Sequence, residues 1–134
     1  MSEKPKSYFE SEVDRLYTEE LFRAELYVQV RRSKALMENY YSERIEVNEL
    51  AKTALMSRFH YIRTFQSMYG LTPRSYLRDL RIKQAKNLLR SGLSVTEVCF
   101  AVGYESLPTF SSVFKKCTGY TPRDYQWLHK SNRE

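Results

Sequence analysis

Phe65-Gln66-Ser67-Met68-Tyr69-Gly70-Leu71-Thr72-Pro73-Arg74-Ser75-Tyr76 occurs a second time as Phe114-Lys115-Lys116-Cys117-Thr118-Gly119-Tyr120-Thr121-Pro122-Arg123-Asp124-Tyr125. The offset is 49 residues at every matched position (65 to 114, 70 to 119, 73 to 122, 76 to 125), and Phe, Gly, Thr, Pro, Arg and Tyr repeat in register. A self-match of this kind means one supersecondary unit used twice. Each copy has a local meaning. Gly70 and Gly119 can take the left-handed conformation that ends a helix. Thr72 and Thr121 are good N-caps, and Pro73 and Pro122 fit the first helical position. Each copy therefore reads as a helix that ends, a tight turn, and a new helix.

Upstream of each copy the pattern is again the same. A short helix over about 47–53, with Val47, Leu50, Ala51 and Ala54 inward, has only Glu46 at its N-cap position, a weak capper. Ser57 then caps a helix from Arg58 to about Tyr69. In the second unit Ser94 and Glu97 have capping-box spacing. Val95, Val98, Cys99 and Val102 follow inward, and Ser106 caps a helix from Leu107 to about Thr118. A short helix, a turn and a longer helix make a helix-turn-helix. The turn of the second unit is one residue longer. Between the units, the helix starting at Thr72-Pro73 runs to about Arg90 and ends at Gly92. Its apolar residues cover more than half the circumference, so it should touch two packing partners. A final helix runs from Thr121-Pro122 through Trp127 and Leu128.

The N-terminal part is less regular. From about Thr18 to Tyr41, Leu21, Phe22, Leu26, Val30, Leu36, Met37 and Tyr40 recur at helical spacing, which reads as one more helix packed on the core. Residues 1–17 are polar and mixed in charge. Ser7 and Glu10 allow a short helix there; a frayed tail is the other reading. Arg31, Arg32 and Lys34 form a basic cluster that is either a solvated face or a phosphate contact. The expected organisation is thus a tail or short helix over 1–17, followed by one all-α domain over 18–134. That domain holds a first helix-turn-helix at about 47–70, a linking helix at 72–91, a second helix-turn-helix at 94–119 and a last helix at 121–130.

Charge sharpens this. The chain of 134 residues carries a formal net charge of +6. Residues 1–50 hold 8 Lys/Arg against 11 Asp/Glu, and residues 51–134 hold 14 against 5. The repeat thus sits in a half with a balance of +9, which fits a nucleic-acid surface or simply a basic soluble domain. No apolar run approaches the roughly 18 residues of a membrane span. The first residues lack a signal-peptide pattern. A cytoplasmic chain without membrane association is expected. Cys99 and Cys117 would then be free thiols, both read as small buried residues.

The segment Val98-Cys99-x3-Gly103-Tyr104-x5-Phe110-x3-Phe114-Lys115-Lys116-x2-Gly119-Tyr120-Thr121-Pro122-x2-Tyr125 closely resembles the signature of the AraC/XylS family of bacterial transcription regulators. Leu50-Ala51, Met56-Ser57, His60, Arg63 and Phe65 resemble the first helix-turn-helix of the same family. The resemblance covers about residues 20–129. It implies seven helices, with helices 58–69 and 107–118 inserted into successive major grooves of double-stranded DNA. It implies a transcription regulator, an activator in the usual case, with RNA polymerase as a second partner where activation occurs. Geometry agrees: a linking helix of about 19 residues is roughly 28 Å long at 1.5 Å per residue. Adjacent major grooves lie about 34 Å apart. A monomer can thus span two half-turns; oligomeric state stays open. Three departures stand out. Family members often carry Arg where this chain has Ser112, and a polar residue where it has Leu107 or Pro108. Cys99 replaces the usual small residue. No ligand-sensing domain, small-molecule ligand or cofactor is evident in this chain.

Carried over position by position, the resemblance assigns base readout to Arg58, Phe59, Ile62 and Arg63 in the first unit. In the second it assigns Leu107, Pro108, Thr109 and Ser112. Arg63 can fork onto guanine, and Phe59 and Ile62 suit thymine methyl groups. The alternatives are a phosphate contact or internal ion pair for Arg63, and burial for Phe59 and Ile62. His60 reads as an exposed or capping histidine. The second face lacks long hydrogen-bonding side chains, so specificity is expected mostly from 58–69. Phosphate contacts fall to Ser57, Arg74, Ser106, Lys115, Lys116 and Arg123, near helix N-termini or in basic positions; capping and solvation are the alternative.

Two other functional classes fit the sequence less well. An enzyme needs paired titratable groups in a cleft. Here two His stand far apart, the basic half has no acidic cluster, and Cys99, Cys117, His60 and His129 lack zinc-ligand spacing. The chain reads as a non-enzyme without metal. A protein-interaction module using the repeat as scaffold is the second alternative, suggested by the apolar Leu107 and Pro108.

Overall fold

The computed structural model describes residues 5–131, all of whose regular elements are helices. In chain order they are α1 Tyr8–Tyr40, α2 Val47–Thr53, α3 Arg58–Tyr69, α4 Pro73–Ser91, α5 Val95–Ala101, α6 Leu107–Thr118 and α7 Pro122–Ser131. The caps follow local chemistry. The hydroxyl oxygens of Ser57, Thr72, Ser94 and Ser106 each accept the backbone N–H three residues on. The Ser94–Glu97 capping box is complete. Glu46 makes no side-chain cap bond.

Two cores form, and α4 belongs to both. The first gathers Val30 and Met37 from α1, Leu50 and Ala51 from α2, Tyr61 and Phe65 from α3, and Leu77 from the start of α4. The second gathers Ile82, Ala85 and Leu89 from the rest of α4 with Val98, Phe110, Phe114 and Tyr125. This is why α4 is apolar round so much of its surface: its two ends face different partners. Fully buried aromatics such as Phe65, Phe110 and Phe114 carry much of the packing. Truncating any one to Ala should cost about 3–5 kcal/mol.

The N-terminal expectation needs correction. Residues 8–17 are neither a tail nor a separate short helix; they are the first turns of a 33-residue α1. The Ser7 cap does form, its hydroxyl accepting from the Glu10 N–H at 3.1 Å. Leu21 and Phe22 are not core residues either. Both are exposed, and of α1 only Val30, Ser33 and Met37 are buried. Cys117 is exposed, while Cys99 is buried as expected. Among the described residues no helix is long and apolar enough to cross a membrane. Residues 1–4 and 132–134 lie outside the described part.

Candidate nucleic-acid interface

Each helix-turn-helix sets the rotation of its second helix through two buried aromatics. In α3, Tyr61 and Phe65 point into the core. Tyr61 is pinned further by a 2.7 Å hydrogen bond to the buried Ser33 hydroxyl, which also donates to Val30 O at 2.6 Å. At about 100° per residue, the opposite face of α3 then carries Phe59, Arg63 and Gln66. Phe59 is 76% exposed, too much for a packed phenylalanine. Arg58, Arg63 and Gln66 are exposed; Ile62 and His60 are half-buried at the edge of the face. In α6, Phe110 and Phe114 play the inward role. The outward positions, again 49 residues on, are Pro108, Ser112 and Lys115, all exposed. Thr109 is exposed beside them, its hydroxyl accepting from Ser106 at 2.8 Å. Leu107 is half-buried and packs against the second core, which shrinks the apolar patch that suggested a protein partner.

Gln66 was missed from sequence. It lies three residues beyond Arg63 on the same face, and its side-chain amide can pair bidentately with adenine. The helical spacing 59, 63, 66 was the signal that could have found it.

Some of the cations are held by carboxylates and others are not. Arg15, Arg23, Lys34, Arg44 and Arg78 are engaged in ion pairs with carboxylates. Lys34 in particular bonds Glu38 at 3.1 Å and lies 5.1 Å from the Tyr69 ring, so it is part of the body and not of a phosphate cluster with Arg31 and Arg32. Its bond to Glu38 holds its pKa above the usual lysine value. Arg58, Arg63, Arg74, Lys115, Lys116 and Arg123, by contrast, make no side-chain hydrogen bond or ion pair among the described residues. The internal ion pair considered for Arg63 is therefore absent. Arg74 and Arg123 sit one residue after Pro73 and Pro122, at the N-termini of α4 and α7, where free amides add positive potential.

A joint fixes the two heads relative to one another. From mid-α4, Arg81 donates to Tyr41 O at 2.7 Å and to Glu43 O at 2.8 Å, both in the loop after α1. On its other side the guanidinium stands 5.6 Å from the Tyr104 ring of the second head. Burial lowers its pKa from the usual arginine value, but the carbonyls it serves favour the charged form. Gly103 completes the joint, with φ at +101° and its Cα turned towards the carbonyls of Tyr41 and Ser42. A cleft of about 720 Å³ opens beside this joint and is lined by Arg44, Arg81, Phe100, Tyr104, Ser106 and Thr109.

Over residues 50–127 the chain matches the model of a family described as a helix-turn-helix domain. Solved structures specify the type. A transcriptional regulator of Chromobacterium violaceum with an AraC-type DNA-binding domain matches at TM-score 0.68 and 27% identity, over 75% of this chain and 91% of that one. The chain belongs to the AraC family. Another match is the DNA-binding domain of AdpA, a global transcriptional factor solved with a target DNA, at TM-score 0.75 and 29% identity over 78% of this chain and 96% of that one. The bifunctional transcriptional activator/DNA repair enzyme AdaA of Bacillus subtilis is 30% identical over 91 residues, 67% of this chain and 43% of its own length. The chain spans between 25% and 58% of the length of the first curated relatives it matches. It carries the AraC-type helix-turn-helix DNA-binding domain of transcriptional regulators, and the curated relatives are mostly named as transcriptional regulators.

Proposed function

We infer that this chain is a sequence-specific double-stranded DNA-binding regulator that lays α3 and α6 into successive major grooves. The observation that carries this is the register of the two outward faces: Phe59, Arg63 and Gln66 on α3 recur as Pro108, Ser112 and Lys115 on α6. The rod between them is 19 residues long, about 28 Å, close to one turn of duplex. That AdpA's related domain was solved on a target DNA supports the partner.

Arg63 forks onto a guanine, Phe59 meets thymine methyl groups with Ile62 at its edge, and Gln66 reads adenine. Arg58 at the first turn of α3 completes that face. The α6 face, with Leu107, Pro108, Thr109 and Ser112, docks by shape. Arg74, Arg123, Lys115 and Lys116 hold phosphates, with Ser57 and Ser106 presenting capped helix N-termini to the backbone. The reading extends to a non-enzymatic, cytoplasmic activator that touches RNA polymerase beside its promoter. AdaA, named as a transcriptional activator, supports that polarity.

The test starts from duplexes selected from a random pool, followed by saturation mutagenesis of the winner. Information content concentrated in the half-site under α3 is expected; equal content in both half-sites would overturn the assignment of specificity. Arg63→Ala should cost about 1–3 kcal/mol and relax one base position. With some 6–8 phosphates neutralised, affinity should fall about 10³–10⁴-fold between 50 and 200 mM salt. A flat salt profile would contradict the proposed surface.

A further inference from the structure

The joint between the heads stands halfway along the rod. Counted from Pro73, Arg81 is the ninth of the 19 residues of α4, and it donates to Glu43 O at 2.8 Å. The residue after Glu43 is Arg44. Its backbone is thus anchored at mid-span, while its side chain is 81% exposed. The Glu46 carboxylate lies 3.3 Å from the guanidinium, but an exposed pair of this kind holds weakly and yields to a better partner.

Arg44 lines the cleft beside the joint together with Ser106 and Thr109. Those two residues cap and begin α6, the end of that helix laid on DNA, so the cleft opens on the DNA side. Two major grooves that follow one another on one face of B-form DNA enclose a minor groove midway between them. A side chain at mid-span meets that groove. The lining is not that of a phosphate clamp. Among the described residues of the cleft, Arg81 is engaged with the carbonyls of Tyr41 and Glu43, and Glu105 adds a negative charge. Arg44 is the cation that remains to reach outwards. A single planar guanidinium suits a slot about 6 Å wide, whose negative potential is enhanced where A·T-rich sequence narrows it.

We propose that Arg44 enters the minor groove between the two half-sites and makes this chain prefer A·T pairs there. The assignment rests on α3 and α6 occupying successive major grooves, and it adds a specificity element that neither recognition helix carries. Chemistry sets its sign. In the minor groove A·T and T·A both show only acceptors, whereas G·C adds the 2-amino donor of guanine, which meets the guanidinium donor to donor. A·T runs also narrow the groove and strengthen its pull on arginine. The preference is therefore for A·T over G·C, with A·T and T·A equivalent at each pair. Lysine cannot replace this side chain. Its ammonium is a more strongly hydrated point charge and enters a narrow groove less readily.

Gel-shift titrations of the full chain test this on a duplex selected from a random pool, with both half-sites kept and the spacer between them made all A·T, all G·C or all inosine·cytosine. G·C in place of A·T should weaken native binding at least about fivefold. Inosine lacks the 2-amino group, so inosine·cytosine should restore most of the loss. Arg44→Ala should bind the A·T spacer as weakly as the native chain binds G·C, and show no preference between them. Arg44→Lys should keep the native salt dependence and lose most of the preference. Equal native affinity for the three spacers would overturn the proposal and leave the two-groove binding standing. So would a native-like Arg44→Lys beside an Arg44→Ala that weakens equally on every spacer, the mark of a phosphate contact. A native chain that selects no duplex would overturn both.

Discussion

Replacing Gly103 by Ala isolates the joint between the heads. An added Cβ would lie 3.0 Å from Tyr41 O, 3.0 Å from Ser42 O and 3.1 Å from Arg81 Nε. These atoms yield poorly, because Arg81 itself holds Tyr41 O at 2.7 Å. Two costs add. A non-glycine residue at positive φ costs about 1–2 kcal/mol. Over-packing against fixed atoms costs a further 1–3 kcal/mol, roughly. The total is about 2–5 kcal/mol, a large share of the stability of a small domain, which is on the order of 5–15 kcal/mol. Gly70 and Gly119 provide the internal control. Their φ values are +78° and +84°, and a Cβ at either would meet nothing within 4 Å. Gly70→Ala and Gly119→Ala should therefore carry only the conformational part, about 1–2 kcal/mol. Urea denaturation of the three variants, compared at constant m-value, gives the difference directly. Three equal losses would refute the close approach at Gly103, and with it the joint as described.

Other consequences follow from single contacts. Arg81→Ala removes a charged donor shared by two loop carbonyls and should cost about 1.5–3 kcal/mol of stability. The same variant should also tolerate an inserted base pair between half-sites better than the native chain; an unchanged spacing preference in gel shifts would argue that α4 alone sets the register. Burial raises the Tyr61 pKa to about 12, against about 10 when unfolded. The folded state thus keeps a proton that the unfolded state releases first, so this share of stability is complete below pH 10 and lost as pH climbs from about 10 to 12. Tyr61→Phe should flatten that alkaline loss in denaturation curves and cost about 1 kcal/mol at neutral pH, since Ser33 keeps its bond to Val30 O. Leu55 sits at φ 56° with 80% of its surface exposed. Leu55→Asn should raise stability by about 0.5–1 kcal/mol in the same assay, because Asn tolerates the left-handed region and little burial is lost.

Much of the fold was written in local chemistry. The Ser and Thr caps, the prolines after them and the glycines that end α3 and α4 act within four residues, so sequence shows them. The two-sided apolar pattern of α4 likewise announced two partners before either was known. What escaped was non-local. Leu21 and Phe22 have the spacing of core residues, yet nothing in periodicity states which side of a helix the body occupies. Cys117 looked buried by residue type and is exposed. Arg81 gave no signal at all, because its partners are carbonyls about forty residues away. At the interface, Phe59 and Arg63 stood out by type and Gln66 did not. Its place beside them emerges only once Tyr61 and Phe65 fix the rotation of α3.

Hydroxyl-radical footprinting of the chain on a selected duplex tests the two-headed account most directly. Two protected patches centred about one helical turn apart, on one face of the DNA, are the predicted result. One continuous patch, or two patches on opposite faces, would contradict it.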